Sequence, residues 1–193
     1  MKVVIFGAAF DPPHLGHLMV IEQVLAKGLA DQVWLVPAKS HPFGKPLSSP
    51  QHRIAMLTMT KDKCTQAQKV QVQTYELEQD QISYTYHTLQ AFSQKYPEHS
   101  FSFVMGSDNL ARFGEWGGQA VLAQYPFWIY PRTGYALEPL LANMRVMTGV
   151  EAVDISSTQV RQKVESGQPI DHLVLPAVGQ YILTHGLYQP DKR

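Results

Sequence analysis

Cysteine is almost missing from this chain, with Cys64 the single residue of its kind. An internal disulfide is therefore excluded, and a reducing cytoplasm is the expected setting. Cys64 lies in a polar stretch with no partner pattern and receives no role. Net charge is missing too: sixteen Lys and Arg face sixteen Asp and Glu. With no basic run or stripe, a long polyanion such as nucleic acid is not an expected partner. No apolar run approaches the roughly 20 residues that span a membrane. The first residues run into a strand pattern rather than a charged leader with a cleavage site. Both common phosphate-loop signatures are missing, G-x-x-x-x-G-K-[ST] and G-x-G-x-x-G. Repeats and low-complexity tracts are missing as well, so residues 1–193 are expected to form one α/β domain with a good core.

What the chain does have is concentrated in Val3 to His17, VVIFGAAFDPPHLGH. Val3-Val4-Ile5-Phe6 reads as a buried parallel strand that Gly7 stops. Asp11-Pro12-Pro13 forces a turn, since two prolines fix φ and remove two N–H donors. A helical period follows, with Leu18, Ile21, Leu25 and Leu29 on one face and Gly28 at the stop. In such a strand-loop-helix unit the unpaired helix-entry N–H groups and the dipole favour a phosphate. An isolated H-x-x-H would be a capped loop. His14 and His17 at this entry read instead as imidazole donors to a phosphate.

Further strands are expected at Gln32–Pro37, Val70–Tyr75, Phe101–Met105 and Tyr125–Tyr130, separated by helical patterns. Together they predict a three-layer Rossmann-like fold with a five-stranded parallel core ordered 3-2-1-4-5. The loop from Ala38 to Pro50 follows a strand's carboxyl end, where such sheets bind ligands, and carries Lys39 and Lys45. Gln51–Met59 is predicted helical on an Ile54, Ala55, Leu57 and Thr58 face; Arg53 reads as a surface residue, the plainer option, or as one that pins the adjacent loop. Leu137–Met144 is also predicted helical. In Asp154–Arg161 the spacing of Ser156 and Gln159 predicts a capping box at a helix start. A final helix is predicted over Pro176–His185.

The motifs resemble a known family. GAAFDPPHLGH is similar to the G-G-[TS]-F-[DN]-P-x-H-x-G-H signature of nucleotidyltransferases related to bacterial nicotinate-nucleotide adenylyltransferase, with Ala9 where that signature has Thr or Ser. D-I-S-S-T-Q-V-R is similar to its I-S-[AS]-[ST]-x-[IV]-R, and H-G-L-Y to its tail. The resemblance implies that Gly7, Ala8, Ala9, Phe10, His14 and His17 bind ATP. It implies the same for Gly106 and Asp108 in the G-x-D segment, and for Ile155, Ser156, Ser157, Thr158 and Arg161. By spacing alone Asp108 reads equally well as an Asx turn. His14, His17, Lys45 and Arg161 would be the catalytic set. S-Y-T-x-x-T-L implies that Thr85 holds a pyridine carboxylate. F-G-E-W resembles F-x-x-W and implies that Trp116 stacks on the pyridine. R-T-G-Y resembles R-P-G-Y and implies that Arg132 meets the mononucleotide phosphate.

The implied reaction joins ATP to nicotinate mononucleotide, giving nicotinate adenine dinucleotide and pyrophosphate. Mg²⁺ would arrive with ATP, without a protein metal site. Two other readings stay open. One is a sister adenylyltransferase for nicotinamide mononucleotide or phosphopantetheine. The other, motivated by Ala9, is a catalytically weak nucleotide-binding protein.

Overall fold

A computed structural model describes residues 1–40, 46–80, 84–152 and 154–190. Strand β1 (Lys2–Ala8) leads into helix α1 (Leu15–Ala26), and β2 (Gln32–Pro37) into α2 (Pro50–Asp62). Then follow β3 (Val70–Val72), α3 (Tyr75–Glu78), α4 (Thr85–Lys95) and β4 (Ser100–Gly106). A 3₁₀ segment over Ser107–Glu115 precedes α5 (Gln119–Leu122), β5 (Phe127–Tyr130) and β6 (Met144–Val146). Helices α6 (Ser157–Glu165) and α7 (Pro176–Thr184) complete the order.

The strands form one parallel sheet in the order β3-β2-β1-β4-β5-β6. Alternation along each strand builds the two faces. Val4, Phe6, Val33 and Leu35 pack with Val20, Ile21 and Val24 of α1 and Leu57 of α2. Val3, Ile5, Trp34 and Val36 pack in one cluster with Leu89 and Phe92 of α4 and with Phe113 and Leu122. A third cluster joins Met56 of α2 to Val160 of α6 and to Val178 and Ile182 of α7. Reversal of strand order between β1 and β4 opens a crevice at the strands' carboxyl ends, the usual ligand position in this architecture.

Four sequence expectations need correction. The sheet has six strands rather than five: β6 pairs with β5 through Phe127–Met144 and Ile129–Val146. The sequence from Arg145 to Val153 suggests only short β-like pieces, and three residues are too few to show an alternating period. The third strand stops at Val72, because Tyr75 begins α3. Leu137–Met144 is not helical. Pro139 inside that stretch disfavours helix for its predecessor, and Leu137, Leu140 and Leu141 stay exposed, so no apolar face is buried. Helix α2 buries Arg53, Met56, Leu57 and Thr60, with only half-burial of Ile54 and Ala55. Its inner face therefore includes Arg53, which takes the loop-pinning option rather than the plainer surface one.

Helix α3 tucks Glu76 beneath α4, where the Thr88 hydroxyl donates to Oε1 at 2.6 Å. Burial pushes this carboxyl up to about 7, against the opposing effect of the Thr88 bond. The unfolded chain releases the same proton near 4.5. Stability from this group is therefore full below about 4.5 and lost as pH rises through 7. Glu76→Gln, which mimics the protonated form, should lose that dependence. Urea unfolding at pH 5 and pH 8 should show the variant gaining about 1 kcal/mol or more on the wild type at the higher pH. Parallel pH dependence in the two proteins would remove Glu76 as the cause.

Candidate active site

The loop between β1 and α1 is built tightly. Phe10 sits at φ +49°, a left-handed conformation that costs a phenylalanine free energy. Its ring is buried against Phe6, with centroids 5.5 Å apart, and against His17 at 4.8 Å. Pro12 and Pro13 then deliver the chain to His14, the N-cap of α1. The His14 N–H donates to His17 Nδ1 at 3.1 Å, and the two rings stack 3.7 Å apart.

That hydrogen bond determines a tautomer. A neutral His17 that accepts at Nδ1 must carry its proton on Nε2. Burial, helped by the nearby Arg132 charge, lowers the His17 pKa to about 3. Burial also lowers His14 well below 6.5, followed by the effects of His17 and Arg132. Both imidazoles are thus neutral at pH 7 in the free protein. The buried His14 Nδ1 has no hydrogen-bond partner among the described residues. A helix entry of this kind suits a ligand with phosphate oxygens, because its first N–H groups are unpaired.

Helix α6 closes on this loop. The Ser156 hydroxyl caps it by accepting from the Gln159 N–H at 3.2 Å. The Ser157 hydroxyl donates to Pro12 O at 2.8 Å. Arg161 donates through Nη1 to Asp11 O at 2.6 Å and through Nη2 to the Thr158 hydroxyl at 3.3 Å. From the other side Arg132, just past β5, donates Nη2 to Ile155 O at 3.1 Å. Its Nε lies 3.6 Å from Asp108 Oδ1. A Cβ on Gly106 would collide with Asp108 Oδ1 and the Arg132 stem, so only glycine admits this pairing. Asp108 is therefore an ion-pair partner of Arg132 here. Gly7, Ala8 and Ala9 run along the end of β1 and the start of the loop, half-buried.

Thr85 and Trp116, the other residues assigned to the acceptor, come from separate elements. Thr85 is the first residue of α4. Trp116 ends the 3₁₀ segment half-buried, its ring 5.1 Å from Phe113 and 6.1 Å from Phe103. A tryptophan held on one side by core rings and left partly open is a physically sound stacking platform. Lys45 lies outside the described residues.

Two buried polar residues, Asp11 and Arg53, and the half-buried Tyr188 make contacts that the sequence reading did not assign. Asp11, 1% exposed, accepts at Oδ1 from the Tyr188 hydroxyl at 2.6 Å and at Oδ2 from the Ser48 N–H at 3.1 Å. Arg53, also 1% exposed, donates Nη1 to Ala9 O at 2.8 Å and Nε to Ser48 O at 3.1 Å. Together Asp11, Arg53 and Tyr188 tie the histidine loop to α2, to the chain after Lys45 and to the segment after α7. For Arg53 a local signal existed: it lies three, four and seven residues before Met56, Leu57 and Thr60, on one helical face. Asp11 and Tyr188 offered none, since their partners are remote in the chain.

Comparison with known proteins bears on this geometry. A cytidylyltransferase-like family model matches residues 5–163. A protein of Salinibacter ruber named as a probable nicotinate-nucleotide adenylyltransferase is 36% identical over 98% of this chain and 99% of its own. The nicotinate-nucleotide adenylyltransferase of Bacillus subtilis is 29% identical over 97% of this chain and 98% of its own. Among solved structures, Plasmodium falciparum nicotinic acid mononucleotide adenylyltransferase complexed with NaAD superposes with a TM-score of 0.86 at 21% identity. That match covers 97% of each chain and shows the shared fold.

Proposed function

The chain belongs to the nicotinate-nucleotide adenylyltransferase family within the cytidylyltransferase-like group, and on that basis we propose that it adenylylates nicotinate mononucleotide. The observation that carries this reading is the buried, neutral histidine pair at the α1 entrance, one ring donating from Nε2 and the other with an unpartnered Nδ1. A phosphate oxygen of the mononucleotide attacks the α-phosphorus of ATP. The new P–O bond forms as the α–β bridging bond breaks, and pyrophosphate leaves with the electron pair. The nucleophile is already ionised at neutral pH, its second pKa being about 6, so no protein base is needed. Catalysis is alignment and charge stabilisation. His14 and His17 offer neutral N–H donors, the α6 entrance at Ser156 and Ser157 offers backbone N–H groups, and Arg161 and Arg132 supply positive charge. Lys45 adds a further cation in this reading. Among the described residues no cluster of three His, Cys, Asp or Glu side chains could hold a metal. Mg²⁺ is read as part of the substrate, carried by the triphosphate. We assign residues 1–193 to a single domain working in the cytoplasm. No helix of the described residues is long and apolar enough to cross a membrane.

Preference for nicotinate over nicotinamide follows from charge. The helix-entry N–H groups at Thr85 bind a carboxylate more strongly than a neutral amide. Stacking on Trp116 cannot separate two flat rings of similar size. A difference of roughly 1.4 kcal/mol between charged and neutral hydrogen bonds corresponds to about tenfold. Pyrophosphate release with MgATP should therefore give a kcat/KM about ten times higher for nicotinate mononucleotide than for the nicotinamide form. Equal values would remove the acceptor assignment and leave adenylyl transfer standing. No release with either acceptor would remove the activity as a whole.

A further inference from the structure

The two parts assigned to the pyridine end come from different elements: Thr85 from the start of α4, Trp116 from the turn before α5. One side chain joins them. Tyr86, the second residue of α4, is half-buried and lays its ring on Gly117 and Gly118. A Cβ on Gly117 would sit 3.2 Å from Tyr86 Cε1, and one on Gly118 would enter the ring itself. Gly118 adopts φ +72°, the left-handed region that suits glycine, and caps α5 by accepting from the Val121 N–H at 2.8 Å. The Gln119 amide closes the same turn by donating to Phe113 O at 2.7 Å and Trp116 O at 2.9 Å. The Trp116 turn is thus a stiff unit, and the Tyr86 ring touches it from α4. The Tyr86 ring also lies against His87, with centroids 4.0 Å apart.

We propose that Tyr86 is a positioning residue that sets the distance between the Thr85 helix start and the Trp116 platform, and so the width of the acceptor pocket. The proposal rests on the acceptor reading above. It assigns the work to the aromatic ring, because the contact with the two glycines is made by ring carbons.

Kinetics of Tyr86→Ala and Tyr86→Phe test it. Tyr86→Ala should raise KM for nicotinate mononucleotide about tenfold, with kcat and the KM for ATP within about twofold of wild type. Tyr86→Phe should behave as wild type. A purely structural loss would weaken both substrates together. Gly118→Ala should raise the same KM in the wild-type background, and by a smaller factor when Tyr86 is already alanine, because the collision is then gone. Amide hydrogen exchange over residues 113–119 should be faster in Tyr86→Ala than in wild type without any substrate. Should Tyr86→Ala not fold, Tyr86→Leu carries the same expectations. An unchanged mononucleotide KM, or a Tyr86→Phe enzyme as impaired as the alanine one, would overturn the proposal. If the wild-type enzyme accepts no pyridine mononucleotide, the acceptor reading fails on its own, and exchange alone decides: faster exchange supports the tether and unchanged exchange overturns it.

Discussion

His17→Ala should leave the fold standing and cut turnover by about 10²–10³-fold, the usual loss for one positioned transition-state donor. The expectation rests on the hydrogen bond that commits Nδ1 to the His14 N–H and leaves Nε2 as a donor. Alanine removes two things at once, the Nε2 donor and the acceptor for the His14 N–H. His17→Asn separates them, since its side-chain oxygen can accept from the same N–H while no donor reaches the Nε2 position. The asparagine enzyme should therefore match wild type by circular dichroism and urea unfolding and still be slow. Wild-type turnover in it would reduce His17 to a helix-entry residue.

The same residue has a pH signature. With the folded pKa lowered to about 3 from 6.5, the unfolded chain binds the extra proton first. Stability from this group is full above 6.5 and lost as pH falls toward 3. The acid limb of stability should be shallower in His17→Asn than in wild type. In the rate profile, kcat/KM for the mononucleotide should rise through the phosphate's pKa of about 6 and then stay level to pH 8, with no separate histidine limb.

Arg53→Met should be the most destabilising single change away from the reacting atoms, by about 3–5 kcal/mol. The methionine fills much of the stem's volume but cannot donate. Ala9 O and Ser48 O would lose their donors in a closed interior, and the nearby buried Asp11 would lose a facing positive charge. Burial lowers the arginine's own pKa, opposed by Asp11 and Tyr188, and from 12.5 it remains charged at neutral pH. Lysine cannot reach two carbonyls with one point charge, so Arg53→Lys should recover only part of the loss. Urea midpoints within about 1 kcal/mol of wild type for Arg53→Met would show that the loop is held by its other bonds alone.

The contrast between Arg53 and His17 marks what was legible in the chain. Apolar runs such as VVIF and QVWLVP announce buried strands because a two-face-buried strand needs continuous apolar residues. The helix entries at His14 and Ser156 were equally plain, since capping is a property of a few adjacent residues. Five of the six strands and the order around β1 follow from such local patterns together with the rules for parallel connections. The family motifs supplied the assignment of roles.

Tertiary structure decided the rest, for reasons of distance and length. The Arg53 bond to Ala9 O spans 44 residues, the Arg161 bond to Asp11 O spans 150, and Tyr188 reaches Asp11 across 177. No periodicity encodes a partner so remote; only the packed chain brings donor to acceptor. Strand β6 pairs over three residues, too short for a pattern of its own, and exists because β5 offers it an edge. Phe10 takes its left-handed backbone because burial of the ring against Phe6 and His17 offsets the local cost. By itself the sequence marked the two helix entries, at His14 and Ser156, to which the proposed function gives the phosphates. How those loops are held, the protonation of both histidines and the pairing of Arg132 with Asp108 depend on burial and proximity, which exist only in the folded chain.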